Sequence, residues 1–566
     1  MDLLRIPELQ ALEAREIERA GPGVLMQRAA RAVARWAGTL LRTLPAQGAP
    51  ACPWVLVCMG PGNNGGDALQ AGLLLADRGH RLVVLDLFET STRPTDAAAV
   101  WQAAKRSSAL SWWTLEETLD WLAASCSCGL VLDGLFGIGL RCAIEGPSAR
   151  LIKALNGRDA GRIQVLSVDL PSGLGADTGQ PVEAGPVVRA DLTLTLLANK
   201  PGLHTGEASR WCGHIVLDAI GIQADAARTL NPAQAIDTPG PAVNPPHAIG
   251  TLFDEAQART LAPRRARDAH KGRFGDLLVI QGAPSTQGAA LLALLGAQAV
   301  GTGRLYLGQD TLAAAPAFHP EFMSREVRPD ALGSAQTIVL GCGLGQDARA
   351  RAFVQAVLAL PQPRVLDADA LNLLAQIEQH DSKAGAASAA SAAPAGIDRA
   401  IPSGEERSNS TFTHDHRSSK SVCVMTPHPL EAARLLGCSV QAVQADRIRS
   451  AQDIAQRHQC TVVLKGAGTV VADPEGTWSI NASGGPLLSV AGTGDVLAGV
   501  IGGLLAQGMT APQAARLGVW LHGAAADALS AQPAWAAGIG LPASRLAEAI
   551  RERLNRLAAP DARCAD

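Results

Sequence analysis

The stretch with the clearest capacity for chemistry is Gly-Thr-Gly-Asp at 492–495, which precedes an apolar run at 496–505. The run predicts a buried helix, and Gly492 and Gly494 allow a ligand to approach the backbone closely. The first N–H groups of a helix lack internal partners and carry partial positive charge, so they can bind phosphate. Asp495 would stand at the edge of that site, where a carboxylate can take a proton from a hydroxyl. Alone, the motif is equally typical of an ordinary helix start with an acidic first turn.

A second candidate site lies in the first half of the chain. An apolar strand at 54–59 runs into the turn Gly-Pro-Gly-Asn-Asn-Gly-Gly-Asp at 60–67, followed by a helix and a strand at 81–86. This order is a βαβ unit and predicts a parallel sheet. The glycines have the G-x-G-x-x-G spacing, and Asp86 lies near the ~20-residue distance expected for a ribose contact. A nicotinamide-dinucleotide site is therefore the first hypothesis.

The same turn carries side chains that a dinucleotide site does not need. Asn63, Asn64 and Asp67 suit polar ligand groups or a cation held by oxygens. Two further apolar strands end in Asp133 and Asp169. Because ligands of open parallel sheets bind beyond the carboxyl ends of the strands, the three turns are predicted to converge on one site. A single acid in such a place would more often cap a helix.

Length and composition limit the classes of function. The 566 residues suggest two to four domains. Lys and Arg total 49 and Asp and Glu total 52, and the resulting charge of -3 gives no reason to expect nucleic acid or a membrane as a partner. Eleven scattered cysteines favour a reducing compartment. With no signal-peptide core and no apolar run of ~18 residues, we expect a cytoplasmic protein.

Proline-rich turns at 223–250 predict a domain boundary. We expect an α/β domain at 1–222, a linker at 223–243 and a second α/β domain at 244–566, because strands and helices alternate on both sides. Residues 380–420 are rich in Ala and Ser and poor in large apolar side chains, which predicts a disordered insertion.

Taken together and in this order, the motifs resemble the bifunctional NAD(P)H-hydrate repair family, in which an epimerase domain is fused to an ADP-dependent dehydratase domain. In the first half the resemblance rests on the turn 60–67, on Asp133 with Phe-Gly-Ile-Gly-Leu at 136–140, and on Asp-Leu-Pro-Ser-Gly at 169–173. In the second half it rests on His-Lys-Gly at 270–272, Gly-Cys-Gly-Leu-Gly at 341–345, the stretch 366–374, Thr-Pro-His-Pro at 426–429, Lys-Gly-Ala-Gly-Thr at 465–469 and Gly-Thr-Gly-Asp at 492–495.

The resemblance implies a Rossmann-like three-layer αβα fold for the first domain and a ribokinase-like α/β fold for the second. It implies that the first domain interconverts the R and S forms of NADHX and NADPHX, the NADH and NADPH hydrates with a hydroxyl at C6 of the nicotinamide ring. The second domain would use ADP to dehydrate the S form, releasing NADH or NADPH, AMP and phosphate. Potassium in the first domain, magnesium in the second and a homo-oligomeric assembly are expected as well.

The matching positions imply specific residues for each role. Potassium would be held by Asn64, Asp133 and Ser172. The epimerase substrate would be bound by Asn63, Asn64, Gly65, Gly66, Asp67, Gly137, Ile138, Gly139, Leu140, Arg141, Cys142, Ala143 and Asp169. The dehydratase substrate would be bound by Ala289, Gly343, His428 and Asp495, and the adenine nucleotide by Lys465, Gly466, Ala467, Gly468, Thr469 and Gly494. Catalysis would fall to Asp169 and Asp495.

Other functions remain open at the level of sequence. A ribokinase-like small-molecule kinase fused to a dinucleotide-binding domain would share the Gly-Thr-Gly-Asp motif and differ in its acceptor. A nicotinamide-dependent dehydrogenase would use NAD as a redox partner, and a nucleotide sensor would need neither catalytic aspartate. The chain also departs from the family pattern at 281–286, Cys342 and Ala491, which we expect to affect affinity more than activity.

Overall fold

The computed structural model describes residues 1–44, 53–107, 110–124, 128–222, 250–282, 284–310, 319–332, 335–391 and 422–559. They form two compact units. The first comprises Met1–Leu252 with Gln444–Ile448 and Thr477–Ile480, and the second comprises Phe253–Val443, Arg449–Gly476 and Asn481–Asp566. The predicted linker at 223–243 lies outside the described residues, so the predicted domain bounds stay a prediction.

The first unit alternates strands and helices. Its strands are β1 (Asp2–Leu3), β2 (Trp54–Met59), β3 (Arg81–Asp86), β4 (Ser111–Trp112), β5 (Gly129–Gly134), β6 (Ile163–Val168), β7 (Leu192–Leu196) and β8 (His214–Asp218). Its helices are α1 (Ile6–Ala20), α2 (Val24–Thr43), α3 (Asn63–Ala76), α4 (Thr95–Arg106), α5 (Leu115–Ala123), α6 (Gly146–Asn156) and α7 (Ala208–Trp211). The predicted βαβ unit is confirmed, because β2 and β3 pair in parallel on either side of α3 in the chain.

The seven-stranded sheet of this unit has the order β4-β3-β2-β5-β6-β7-β8, and its neighbouring strands are parallel. Alternate side chains of β2 enter cores on the two faces of the sheet, one shared with α2 and α3 and the other with α5 and α6. Strand order reverses between β2 and β5, so the turns after these two strands lead away from each other and leave a crevice. Gly65 lets the start of α3 lie against the turn, since a Cβ there would be 2.2 Å from the carbonyl oxygen of Gly60.

From residue 250 onward the strands are β9 (Gly250–Phe253), β10 (Asp276–Ile280), β11 (Arg304–Gln309), β12 (Met323–Glu326), β13 (Thr337–Leu340), β14 (Arg364–Leu366), β15 (Cys423–Met425), β16 (Thr461–Leu464), β17 (Val470–Ala472) and β18 (Trp478–Asn481). The helices are α8 (Glu255–Leu261), α9 (Gln287–Ala299), α10 (Ala348–Leu358), α11 (Ala368–Ser391), α12 (Pro429–Leu436), α13 (Val440–Ala445), α14 (Arg447–His458), α15 (Thr493–Ala506), α16 (Ala511–Ser530) and α17 (Ala543–Ala558).

Eight strands of the second unit are neighbours in one sheet, in the order β17-β16-β15-β14-β13-β10-β11-β12. Its neighbouring strands are parallel except for β16 and β17. Helix α15 confirms the predicted buried helix, because every residue from 496 to 505 is buried. It shares a core with α9 and α16. The strand order reverses between β10 and β13, and the loops that carry the candidate residues follow the carboxyl ends of these and the adjacent parallel strands.

One expectation needs correction. Helix α11 continues to Ser391, so the first part of the predicted disordered insertion at 380–420 is helical. Residues 392–421 of that prediction lie outside the described residues. None of the helices among the described residues is both long and apolar enough to cross a membrane.

Candidate functional sites

A cavity of about 640 Å³ opens at the crevice between β2 and β5 in the first unit. Among the predicted residues, its wall includes Asn63, Asn64, Asp67, Gly137, Ile138, Gly139, Leu140, Arg141, Cys142 and Asp169. Gly65 and Gly66 are buried within α3, and Ala143 donates its backbone N–H to Glu183 instead. The three turns that the sequence predicts to converge do meet at this crevice.

The N-terminal helices form a wall of the cavity that sequence reasoning missed. Leu9, Gln10 and Glu13 of α1 line it, as does Met26 of α2. Their apolar spacing indicates core packing, and only the acidic Glu13, half-buried on this helix, could have suggested a polar site.

Asp169 is held by a lysine that the sequence did not single out. The buried Lys200 donates from Nζ to Asp169 Oδ1 at 2.6 Å, and to Thr195 Oγ1 at 2.8 Å. The same Asp169 oxygen accepts the backbone N–H of Leu196 at 3.0 Å. Asp169 has a left-handed backbone, with φ of 70°. Its other oxygen, Oδ2, accepts no hydrogen bond from a described residue, and the side chain lines the cavity.

Asn64, Asp133 and Ser172 come together beneath the same cavity. Ser172 donates from Oγ to Asp133 Oδ1 at 2.6 Å and from its backbone N to Oδ2 at 3.0 Å. Asn64 donates from Nδ2 to the carbonyl of Phe136 at 3.1 Å, which leaves its buried Oδ1 without a partner among the described residues. Burial raises the pKa of Asp133, and hydrogen bonds from Ser172 and Ser167 partly offset this.

Asp86 does not serve as a ribose ligand. Its buried carboxylate accepts hydrogen bonds from Arg93 Nη2 at 2.6 Å and Trp101 Nε1 at 2.8 Å, and from the backbone of Phe88 at 2.9 Å. The side chain is 3% exposed and absent from the cavity wall. The dinucleotide-fingerprint hypothesis is therefore wrong about this residue.

The second unit places Asp495 in the first turn of α15, directly after Gly492, whose φ is 90°. Asp495 clusters with Cys342 and Asp367, each offering one ligand atom within 4.8 Å of the others. Burial, followed by the charge of Asp367, raises the pKa of Asp495 to about 6. The thiol of Cys342 and the charge of Lys465 act in the opposite direction. A base with this pKa becomes ionised just below neutral pH.

Lys465 and Gly494, two predicted nucleotide residues, lie beside each other. A Cβ on Gly494 would be 3.5 Å from Lys465 Nζ. Lys465 donates to Asp367 Oδ1 at 2.7 Å. Burial alone would lower the pKa of Lys465, but the charges of Asp367 and Glu431 raise it above its ordinary value. Sequence reasoning gave Asp367 no role, although its place at the end of β14 was visible.

His428 caps helix α12 next to this cluster. Its Nδ1 accepts from the backbone N–H groups of Leu430 at 3.1 Å and Glu431 at 3.2 Å. Burial lowers the pKa of His428, and burial raises that of Glu431 to about 7. Since Nδ1 accepts, the neutral ring carries its proton on Nε2, which lies 3.3 Å from Glu431 Oε1.

The remaining predicted residues lie at the start of α9 and in two loops. Ala289 lies in the first turn of α9, and Gly343, with φ of 65°, accepts a hydrogen bond at its carbonyl from Thr286 Oγ1 at 2.7 Å. Gly466, Ala467, Gly468 and Thr469 form the turn between β16 and β17. Here Thr469 Oγ1 donates to the carbonyl of Gly466 at 3.0 Å.

These features define an α/β enzyme with two sites, each at the carboxyl edge of a largely parallel sheet. Residues 22–202 match the family described as YjeF-related protein N-terminus. Residues 277–388 and 409–552 match the family described as NAD(P)H-hydrate dehydratase.

Three relatives agree with these matches. The chain is 32% identical over 490 residues to the bifunctional NAD(P)H-hydrate repair enzyme Nnr of Coxiella burnetii, covering 84% of this chain and 86% of that protein. It is 33% identical to that of Escherichia coli over 85% of this chain and 81% of that protein. It is 40% identical to the ADP-dependent (S)-NAD(P)H-hydrate dehydratase of Neisseria meningitidis over 52% of this chain and 89% of that protein. A solved ADP/ATP-dependent NAD(P)H-hydrate dehydratase of Bacillus subtilis is 27% identical, covers 54% of this chain and 99% of its own, and has a TM-score of 0.43.

The chain therefore belongs to the family of bifunctional NAD(P)H-hydrate repair enzymes. The predicted fold class and enzyme class are confirmed, and the kinase, dehydrogenase and sensor alternatives are not needed.

Proposed function

We propose that the first unit interconverts R- and S-NAD(P)HX at the 640 Å³ cavity and that the second dehydrates the S form with ADP. For the first reaction, the supporting observation is the pairing of Asp169 with Lys200. Lys200 donates a hydrogen bond to Oδ1 of Asp169, while Oδ2 accepts none from the described residues. Asp169 itself lines the cavity. A carboxylate so placed can transfer a proton at C6 and stabilise positive charge that develops on the nicotinamide ring.

Potassium would be held by Asn64, Asp133 and Ser172. The buried Asn64 Oδ1 lacks a partner, and Asp133 is a fully buried carboxyl with no cationic side chain of the described residues in ion-pair contact. Oxygen atoms of this kind fit a hard monovalent cation. The cation would balance the Asp133 charge and order the turn that carries Asn63. We expect replacement of potassium by lithium to slow R-hydrate conversion and to leave S-hydrate dehydration unchanged.

In the second unit, Asp495 would take the proton of the C6 hydroxyl while that oxygen attacks the β-phosphate of ADP. AMP leaves, and the phosphorylated hydrate then loses phosphate from C6 and a proton from C5, which forms the C5–C6 double bond of NADH or NADPH. The observation that supports this role is the position of Asp495 at the N-terminus of α15, with its pKa raised to about 6. Free N–H groups of α15 can hold the phosphate, as helix N-termini do. Lys465 and Gly494, adjacent in space, would contact the nucleotide, with Gly466, Ala467, Gly468 and Thr469 beside them.

Magnesium fits the second site through the carboxylate oxygens of Asp367 and Asp495, which are the ligand type that this ion accepts. The Cys342 thiol in the same cluster is a poor magnesium ligand. When bound, the ion would neutralise phosphate charge.

His428, Gly343 and Ala289 would contact the hydrated cofactor, and the neutral His428 would do so without repelling a cation. A homo-oligomeric assembly stays part of the proposal.

The Asp169→Asn variant tests the first assignment. It keeps the shape of the side chain and removes the base, so R-hydrate conversion should fall by ~10² or more. S-hydrate dehydration in the same chain is the internal control. Substrate affinity and melting temperature are measured alongside, because a purely structural Asp169 would lower both. Unchanged R-hydrate consumption, with spontaneous conversion subtracted and epimerisation limiting, contradicts the assignment.

A further inference from the structure

More carboxyl groups line the epimerase cavity than one proton-transfer residue requires. Glu13 of α1, Asp67 of α3, Asp96 of α4 and Asp169 after β6 all contribute to its wall. Asp96 is engaged by the backbone N–H of Gly23 at 2.9 Å, and Asp169 is engaged by its lysine. Glu13 and Asp67 have no hydrogen-bond partner among the described residues. These two groups are therefore available to a ligand or to a proton.

Burial and neighbouring charges raise the pKa of both of these carboxyl groups. Burial raises the pKa of Asp67 well above its ordinary value, and the charges of Asp169, Glu13 and Asp96 add to that effect. Burial and then Asp169 raise the pKa of Glu13, while Lys200 partly offsets them. The remaining charged group in the wall is Arg141, on an exposed loop. Asp67, which has no cationic partner among the described residues, therefore differs from Asp169, whose carboxyl group accepts a hydrogen bond from Lys200 at 2.6 Å. Paired carboxyl groups with such different surroundings are the usual pattern of an acid and a base.

The placement of the two groups suits inversion at a carbon. Asp67 follows β2 through the start of α3, whereas Asp169 follows β6, and β5 lies between these two strands. Strands are ~4.8 Å apart, so the two strand ends that lead to these residues are separated by roughly 10 Å, and both residues line the cavity between them. Inversion at C6 by loss and return of water needs a donor on one face and an acceptor on the other.

Building on the proposed epimerase function, we propose that Asp67 donates a proton to the departing C6 hydroxyl and that Asp169 accepts a proton from water entering on the opposite face. Glu13 then returns the proton from Asp169 to Asp67. Asp67 and Asp169 are the catalytic pair, and Glu13 is a proton relay that contacts neither reacting atom.

The step balances without any further reactant. The C6–O bond breaks as the lone pair of ring nitrogen N1 moves into the ring, and the Asp67 proton converts the leaving hydroxyl to water. A water molecule forms the new C6–O bond on the other face, and Asp169 takes its proton. One water leaves and one enters. The surrounding carboxylates stabilise the ring cation between the two events.

The first test uses the unmodified chain in ¹⁸O-water, with R hydrate and without ADP. We expect one solvent oxygen in each S molecule formed by the enzyme, after subtraction of the reaction without protein. A ring-opening route that breaks the C6–N bond would retain the original oxygen, and retention overturns the proposal. Because no substitution is involved, folding cannot confuse this result.

The second test compares variants with matched controls, Glu18 on helix α1 and Asp77 directly after helix α3. Asp67→Asn should lower kcat for R-hydrate conversion by ~10² or more, while S-hydrate dehydration stays unchanged. Glu13→Gln should lower kcat by about tenfold with KM unchanged, and added formate at constant pH should restore part of the loss by carrying the proton. Exposed Asp77→Asn and Glu18→Gln should have no effect.

The outcomes distinguish this inference from the proposed function. An unmodified chain that leaves R hydrate unconverted contradicts the epimerase assignment itself. Loss of activity in Asp169→Asn combined with full activity in Asp67→Asn overturns only the acid–base pair. A slow Glu13→Gln variant that does not respond to formate overturns the relay.

Discussion

The two halves of the chain each place a lysine–aspartate ion pair at the carboxyl edge of a sheet, but the pairs relate differently to the proposed base. In the first half Lys200 binds Asp169, the carboxylate that lines the cavity. In the second half Lys465 binds Asp367, while the hydrogen-bond neighbour of Asp495 is the thiol of Cys342. An ion pair favours a charged carboxylate, whereas burial raises its pKa. We infer that the first site places a lysine-paired carboxyl group beside the ring and that the second is set to take up a proton near neutral pH.

The largest expected effect comes from removing the base of the second site. Asp495→Asn should lower S-hydrate dehydration by ~10² to 10⁴, because general-base catalysis contributes that much. ADP binding should persist, since Lys465 and the N–H groups of α15 are unaltered. Calorimetric titration with ADP and absorbance of the restored NADH measure the two effects. Dehydration at a near-normal rate would rule out Asp495 as the base, and R-to-S conversion in the same sample is the control.

An intermediate effect should follow from breaking either ion pair. Lys200→Met leaves Asp169 without its buried partner and should cost about 3 kcal/mol of unfolding free energy, the lower end for such pairs, because Asp169 is 18% exposed. R-hydrate conversion should fall while S-hydrate dehydration persists. Lys465→Met should lower S-hydrate dehydration while R-hydrate conversion persists, and it should raise KM for ADP.

A double variant sharpens this prediction. Adding Asp169→Asn to Lys200→Met removes the unpaired charge and should recover part of the lost stability in urea unfolding. Equal stabilities of the single and double variants would mean that the ion pair contributes little to folding. The corresponding pair of variants at Lys465 and Asp367 provides the comparison between the two halves.

The smallest expected effect is a shift in a pH profile. Asp495 acts as a base only when ionised, so kcat/KM for S-hydrate dehydration should rise with pH and level off above an inflection near 6. Cys342→Ala removes a hydrogen bond that lowers the pKa of Asp495, so the inflection should move upward. A hydrogen bond of ~1 kcal/mol corresponds to a shift below about one pH unit. An inflection that moves downward, or does not move, contradicts this role of the thiol.

Much of the fold and part of each site could be predicted from the sequence, for physical reasons. The turn at 60–67 and the helix after Asp495 are encoded by neighbouring residues, so local pattern was enough to find them. The meeting of Asn64, Asp133 and Ser172 follows from the rule that parallel strands present their carboxyl ends at one edge. Lys200 could not be found in this way, because its role depends on a hydrogen bond to Asp169, which lies 31 residues earlier in the chain. Asp86 was misread because spacing alone does not show that Arg93 and Trp101 already engage the carboxylate.

The left-handed backbone at Asp169 narrows what can replace it. Gly, Asn and Asp accept this conformation at low cost, whereas other residues lose about 1–2 kcal/mol. Glu would retain the carboxyl group but adopt the left-handed backbone conformation only at an energetic cost. Asn would adopt that conformation at low cost but lacks the carboxyl group. A library of all amino acids at this position should therefore yield a single fully active member, because backbone conformation and carboxyl chemistry each eliminate the candidates that the other would accept.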